Sequence, residues 1–328
     1  MAGDSLKSVN PYTEDTIAEY ELFSDRRIDE TLDRAVDAQE TWKASAMQTR
    51  AATLRALASR LETRRDELAE LATREMGKLI GEARGEVEKC AWVCRYYADN
   101  AERQLADEPL ADDGDKKSFV ARSPLGVILT IMPWNFPYWQ AFRCAAPALM
   151  AGNTVVLKHA SNVTGCAMEM QELFAETGAS DGLFQTIVCS GSRASELIGD
   201  DRIAGASLTG SERAGRSVGA AAGEAIKPSV LELGGSDPFV VLDLENEAKV
   251  LDNAVQARYM NSGQSCIAAK RFIVLEDCFD RFVEGFVEGA RERRFGDPRE
   301  EDTTLAPMAR DDLRDEIAEQ VEDAVANG

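Results

Sequence analysis

Residues 153–188, NTVVLKHASNVTGCAMEMQELFAETGASDGLFQTIV, decide the architecture. A β-branched run, NTVVLK (153–158), gives way to a helix-like segment, TGCAMEMQELFAET (164–177), and then to a second run, LFQTIV (183–188). Strand-like runs alternating with helical ones predict parallel βαβ units. The pattern extends both ways, through GVILTI (126–131), PSVLEL (228–233), PFVVL (238–242) and RFIVLE (271–276). The hundred residues after Asp25 read as helix. Ile28, Leu32 and Val36, then Leu54, Leu57 and Leu61, then Leu68 and Leu71 recur at helical steps between charged residues. A polar stretch, ADEPLADDGDKKS (106–118), breaks that pattern and predicts an excursion from the main body. No internal repeat or low-complexity tract is present.

At 328 residues the chain is long enough for two domains, and its 44% apolar content fits a folded globular protein. Fifty-eight acids against 37 bases give a net charge of −21, which opposes binding to nucleic acid and to anionic membranes. Only 10 of the bases are Lys and 27 are Arg. Self-repulsion on this scale is relieved by salt, so the composition predicts a protein of a salt-rich cytoplasm. There is no run of eighteen apolar residues, and the first residues lack a signal peptide's layout. Seven scattered cysteines are not a disulfide framework and fit a reducing cytosol. Cys90 and Cys94 have no further Cys or His nearby to complete a metal site, so they read as buried and no metal is expected.

In α/β sheets chemistry sits where strands end. After GVILTI comes MPWNFPYW, whose two prolines hold Asn135 in a stiff loop. Its amide can donate to an oxyanion or simply satisfy its own turn. After NTVVLK, Lys158 is placed to reach ribose hydroxyls. Ser161, three residues on, is small and neutral where an acid would repel a 2′-phosphate. ASLTGSERAGRSVG offers Gly210, Ser211 and Gly215 at a strand-to-helix turn. It fails as a P-loop, with Arg216 in the lysine position, and lacks the middle glycine of the dinucleotide fingerprint. The turn still presents N–H groups to a phosphate, or merely a helix capped by Ser211. Glu232, in VLELGG, is an acid in an apolar strand, an environment that raises a carboxyl pKa toward general-base use. Cys266, in GQSC, has no histidine neighbour; the one histidine of the chain is His159. A thiol at its ordinary pKa is only a few per cent thiolate at neutral pH, so a nucleophilic Cys266 needs activation.

PWNFP, LKHAS, LTGSERAG, LELGG and GQSC occur in this order, with Glu232 and Cys266 34 residues apart. Together they resemble the NAD(P)-dependent aldehyde dehydrogenase superfamily over residues 8–328, and VNPYTED looks like its N-terminal strand entry. The resemblance implies a doubly wound α/β, Rossmann-like cofactor domain over 1–105 and 125–233. It also implies an oligomerisation-type β-excursion over 106–124 and a second α/β catalytic domain over 234–328. That domain would be incomplete, because the chain ends at VEDAVANG before the family's E-I-F-G-P stretch. By the same resemblance Cys266 attacks an aldehyde, hydride passes to nicotinamide, and a water activated by Glu232 hydrolyses the thioester. Asn135 and the Cys266 backbone N–H would hold the oxyanion, and Glu232 with the nicotinamide's charge would favour the thiolate. NADP or NAD would meet Trp134, Asn135 and Leu233 at the nicotinamide, Lys158, His159 and Ser161 at the adenosine ribose, and Gly210, Ser211 and Gly215 at the pyrophosphate. Arg143, eight residues after Asn135, stands where succinate-semialdehyde dehydrogenases carry a carboxylate-binding arginine; Met260 replaces the second one that some carry. Glu232 argues against a CoA-acylating relative. The expected partners are a small aldehyde and further copies of the chain. The alternative is a non-catalytic relative that binds cofactor or another protein.

Overall fold

A computed structural model describes residues 5–112, 114 and 116–328; the parts of the expected cofactor domain and β-excursion at 1–4, 113 and 115 lie outside the described residues. Strands β1 (Ser5–Val9) and β2 (Thr16–Glu21) form an antiparallel hairpin. VNPYTED is therefore mostly the turn that joins the two strands, where the Asn10 N–H donates to the Asp15 carbonyl and the Asn10 carbonyl accepts from the Glu14 N–H. Four helices follow: α1 (Asp25–Lys43), α2 (Met47–Thr63), α3 (Arg65–Met76) and α4 (Ile80–Leu105). Ser24 caps the first through its hydroxyl, and Gly77, left-handed at φ 77°, ends the third. Strands β3 (Glu108–Asp112) and β4 (Lys117–Val120) pair antiparallel within the expected excursion.

The central sheet is built from β5 (Val127–Met132), α5 (Pro137–Met150), β6 (Thr154–His159), α6 (Thr164–Ala175), β7 (Phe184–Ile187), α7 (Gly191–Leu197), β8 (Ile203–Thr209), α8 (Glu212–Glu224) and β9 (Ser229–Glu232). Its five strands are all parallel, in the order β7-β6-β5-β8-β9. β8 is the strand that β-branched content does not reveal, since Ala204, Gly205, Ala206 and Ser207 make up its centre. The direction of winding reverses between β5 and β8, and ligands of such sheets bind beyond the strand ends at that point.

Both faces of β5 and β6 are covered, which is why these strands read as nearly continuous apolar runs. Along β6 successive side chains alternate between two cores. Val155 and Leu157 join Leu54, Val87, Phe142 and Phe174 beneath α2, α4, α5 and α6. Val156 joins Ile28 and Leu32 of α1, with Leu197 and Val218, on the other face. After β9 the chain leaves this sheet. β10 (Asp237–Val241) and β11 (Ala269–Val274) form a separate parallel pair, with α9 (Glu247–Tyr259) and α10 (Glu276–Arg291) enclosing Val241, Leu244, Ala254 and Phe282. The last helix, α11 (Asp311–Asn327), buries none of its residues.

Candidate active site

Helix N-termini of such sheets carry unpaired N–H groups and attract anions, yet two of them are already filled by protein carboxylates. Buried Glu86 accepts the N–H groups of Tyr138 (2.8 Å) and Trp139 (2.9 Å) at the start of α5. Buried Glu75 accepts those of Gly165 and Cys166, each at 2.9 Å, at the start of α6. A Cβ on Gly165 would lie 2.7 Å from the Glu75 carboxylate, so glycine is needed for that approach. Burial raises the pKa of the Glu75 carboxyl, against the four hydrogen-bonding contributions that lower it. The start of α8 is different. It is capped only by the exposed Ser211, whose hydroxyl accepts from Ala214, and Gly210 sits beside it at the end of β8. That leaves a helix start at the switch point open to an anion.

Gly215 has another role. A Cβ there would come within 2.6 Å of Leu233, so its hydrogen lets Leu233 rest on α8. Lys158 lies in register between Ile131 of β5 and Ile187 of β7, half-buried, with its ammonium unpartnered among the described residues. Burial lowers its pKa, so hydroxyls or an anion there would be favourable to the charged form. Ser161 is exposed, on a single 3-10 turn just beyond β6.

His159 does not belong with these cofactor-facing residues. It is 5% exposed, its Nε2 donates to the Pro137 carbonyl (2.8 Å), and its Nδ1 accepts from the Ala160 N–H (2.8 Å). Both nitrogens are spent on holding the β5 and β6 ends together. Burial pushes the ring's pKa down to about 4. A depressed histidine pKa costs stability as pH falls: the unfolded ring takes up its proton below about 6.5, the folded ring only near 4. The window corresponds to about 3 kcal/mol. Because His159 is the sole histidine, its ring proton resonance reports this directly, and a flat NMR titration from pH 8 to 5 is expected. A midpoint near 6.5 would show an exposed ring.

Cys266 lies in the loop between α9 and β11, half-buried, in a cleft of about 510 Å³. Trp134, Asn135, Gly234 and Gly235 line the same cleft, and Leu313 and Ile317 of α11 flank it. The loop enters through Asn261, Ser262 and Gly263, all left-handed, with φ of 54°, 54° and 79°. Such backbone costs about 1 kcal/mol or more at each non-glycine position and persists only when neighbours hold it. Here Asn261 Nδ2 donates to the carbonyls of Asn135 (2.8 Å) and Gln264 (3.1 Å), and Asn135 Nδ2 donates to Gln264 (3.0 Å). Asn135 thus commits one amide N–H to the cysteine loop and keeps the second. Exposed Lys270 donates to the carbonyls of Gly235 (2.7 Å) and Cys266 (2.8 Å), tying the glycine pair after Glu232 to the cysteine.

Glu232 itself is not in that cleft. It ends β9, an edge strand whose four residues are all exposed, and its side chain is 57% exposed rather than walled by apolar groups. Glu232 shares a second cleft, of about 640 Å³, with Arg143. The Arg143 guanidinium lies 3.6 Å from the Glu232 carboxylate and 3.4 Å from the Thr209 hydroxyl. Sequence reasoning missed Lys78, Glu82, Glu86, Asn261, Gln264 and Lys270. The i, i+4 acids Glu82 and Glu86 beside apolar Ala83 and Val87 were the available signal, and they resembled a solvated helix face.

A parallel sheet in this order, with an open helix start at its switch point, is the arrangement found in many dinucleotide-binding enzymes, and the neighbouring loop carries a cysteine. The chain belongs to the aldehyde dehydrogenase family, whose profile matches residues 1–328. It is 47% identical over 325 residues to succinate-semialdehyde dehydrogenase (NADP+) 1 of Mycobacterium tuberculosis, covering 98% of this chain and 71% of that one. The Mycobacterium avium succinate-semialdehyde dehydrogenase (NADP+) is 47% identical over 327 residues, covering 98% and 69%. Among solved structures, succinic semialdehyde dehydrogenase from Streptococcus pyogenes in complex with NADP+ superposes with a TM-score of 0.95 at 37% identity, covering 98% of this chain and 71% of that one.

Proposed function

We propose that this aldehyde dehydrogenase oxidises succinate semialdehyde to succinate with NADP+, through Cys266. The observation that carries the reading is the shared cleft of Cys266 and Asn135, in which one Asn135 N–H remains free beside the thiol. The residues fit the cofactor. The open start of α8 at Gly210 and Ser211 suits a pyrophosphate, and the unpartnered Lys158 ammonium with small Ser161 suits a phosphorylated ribose. Trp134 and Leu233 would hold the nicotinamide, which would supply the hydride acceptor. Names of relatives that specify NADP+ support the same choice.

The chain's own groups do the rest. Cys266 Sγ, giving its proton to Glu232 through water, bonds to the aldehyde carbon. The second Asn135 N–H and the Cys266 backbone N–H receive the developing oxyanion. Once the carbon is at the acyl level, Glu232, having released the cysteine's proton to solvent, takes a proton from water as that water attacks the thioester, and the sulfur departs as thiolate. Glu232 must turn from Arg143 toward the cysteine for this step, and the flanking Gly234 and Gly235 leave room for it.

Arg143 is the anchor for the substrate's carboxylate. Arg143→Ala is expected to lower kcat/KM for succinate semialdehyde roughly ten- to a hundredfold, the worth of a charge-assisted contact of about 1.5–3 kcal/mol. An uncharged aldehyde of similar length should change far less. Equal losses on both would show that Arg143 only shapes the cleft.

The compartment we propose is a reducing, salt-rich cytoplasm, supported by seven free cysteines and a net charge of −21. The melting temperature in KCl is expected to rise with salt, most steeply at low concentration where screening changes fastest. A flat or falling series would leave an ordinary acidic enzyme. Assembly into a homo-oligomer is part of the same proposal.

A further inference from the structure

Asn135 and Cys266 belong to different loops, and the contacts that join those loops, Asn261 Nδ2 to the Asn135 carbonyl and Asn135 Nδ2 to the Gln264 carbonyl, span 126 and 129 residues of sequence. One helix face holds both. Glu82 and Glu86 are four residues apart in the first two turns of α4, so they lie one above the other. Glu86 grips the N–H groups of Tyr138 and Trp139, directly after the Asn135 loop. Its other oxygen is ion-paired to fully buried Lys78, whose ammonium also lies 3.9 Å from the centre of the Phe136 ring. Glu82 accepts the N–H of Asn261 at 2.9 Å, the first of the three left-handed residues that lead to Cys266. The second Glu82 oxygen is buried without a partner, so this carboxylate is present for the one bond.

We infer that Glu82 and Glu86 are positioning residues that together set the spacing between the Asn135 amide and the Cys266 backbone N–H. The two acids are the common mount of both halves of the oxyanion pocket. The two loops also bond each other directly, through Asn261 Nδ2 to the Asn135 carbonyl and Asn135 Nδ2 to the Gln264 carbonyl, and the two acids hold the backbone on either side of that contact. Ala306 N–H to Ser262 and Ala309 N–H to Gln264 fix the far side of the cysteine loop. The inference rests on the assignment of Cys266 and Asn135 as nucleophile and oxyanion donor.

Glu82 is the member to test, because removing Glu86 would strand a buried lysine. Glu82→Ala releases the Asn261 N–H, whereas Glu82→Gln keeps an acceptor oxygen there without the charge. Two readouts apply: aldehyde oxidation, and hydrolysis of a nitrophenyl ester, which needs the thiol and the oxyanion pocket but no cofactor. Glu82→Ala should lose about a hundredfold in kcat for both, the cost of displacing reacting groups by about 1 Å. Its NADPH affinity, read by fluorescence titration, should be unchanged, and Glu82→Gln should recover most of the rate. If the alanine and glutamine variants lose rate equally, or if both lose only melting temperature, the positioning role is wrong. Cys266→Ala is run alongside: ester hydrolysis persisting in that variant overturns the assignment of the site itself, whatever the Glu82 variants do.

Discussion

Cys266→Ala is expected to abolish aldehyde oxidation while leaving NADP+ binding nearly intact. In the proposed mechanism the thiol makes the covalent bond, and no other thiol lines the Cys266 cleft. Burial pushes the pKa of Cys90, Cys94, Cys144, Cys166 and Cys189 up, which suppresses their thiolates. Cys278 packs in the small core around Phe282, away from Asn135. Cys266 is half-buried and shares its cleft with the Asn135 amide. Losing the nucleophile removes the whole covalent path, so residual turnover should be at the background of the assay. Iodoacetamide should accordingly label Cys266 first. Labelling of another cysteine with activity retained would reduce Cys266 to a packing residue.

Glu232→Gln should give a burst of NADPH close to one per site, followed by turnover slowed by about 10² to 10⁴, the range of general-base contributions. The glutamine cannot take the proton of the attacking water, so the thioester accumulates. Added CoA should not raise the rate. The structure sharpens this prediction, because Glu232 is found paired with Arg143 at 3.6 Å and outside the cysteine cleft. A carboxylate substrate that occupies Arg143 competes with that pair and frees the base. Unchanged steady-state turnover in Glu232→Gln would remove Glu232 from the mechanism.

The residues reveal most of the sheet, because a doubly covered parallel strand is apolar on both sides, as β5 and β6 are through most of their length. β8 escapes detection for a physical reason. Its centre is small so that neighbours can approach: a Cβ on Gly205 would sit 3.1 Å from the Pro228 carbonyl, and one on Gly126 2.9 Å from Ala204. Close approach selects against the β-branched residues that mark a strand. Cys266, Asn135 and Glu232 are visible in the sequence only through their resemblance to a family, since each alone fits a turn, a core or a strand. His159 sits in a motif beside the cofactor residues, yet its partners are backbone carbonyls and N–H groups, which no residue pattern displays. Whether a strand lies at an edge is a property of topology, so the exposure of Glu232 could not be read from PSVLEL. Glu75, Glu82 and Glu86 look like solvated charges until α5, α6 and the cysteine loop are seen to end on them.

The central claim is that Cys266 carries the acyl group. The most direct measurement mixes the Glu232→Gln variant with succinate semialdehyde and NADP+, quenches it in acid during the burst, and maps the peptides by mass. A succinyl group on the peptide that holds Cys266, in amount equal to the NADPH released, is the predicted result. NADPH released with no acyl group on Cys266, or with the group on another residue, would contradict it.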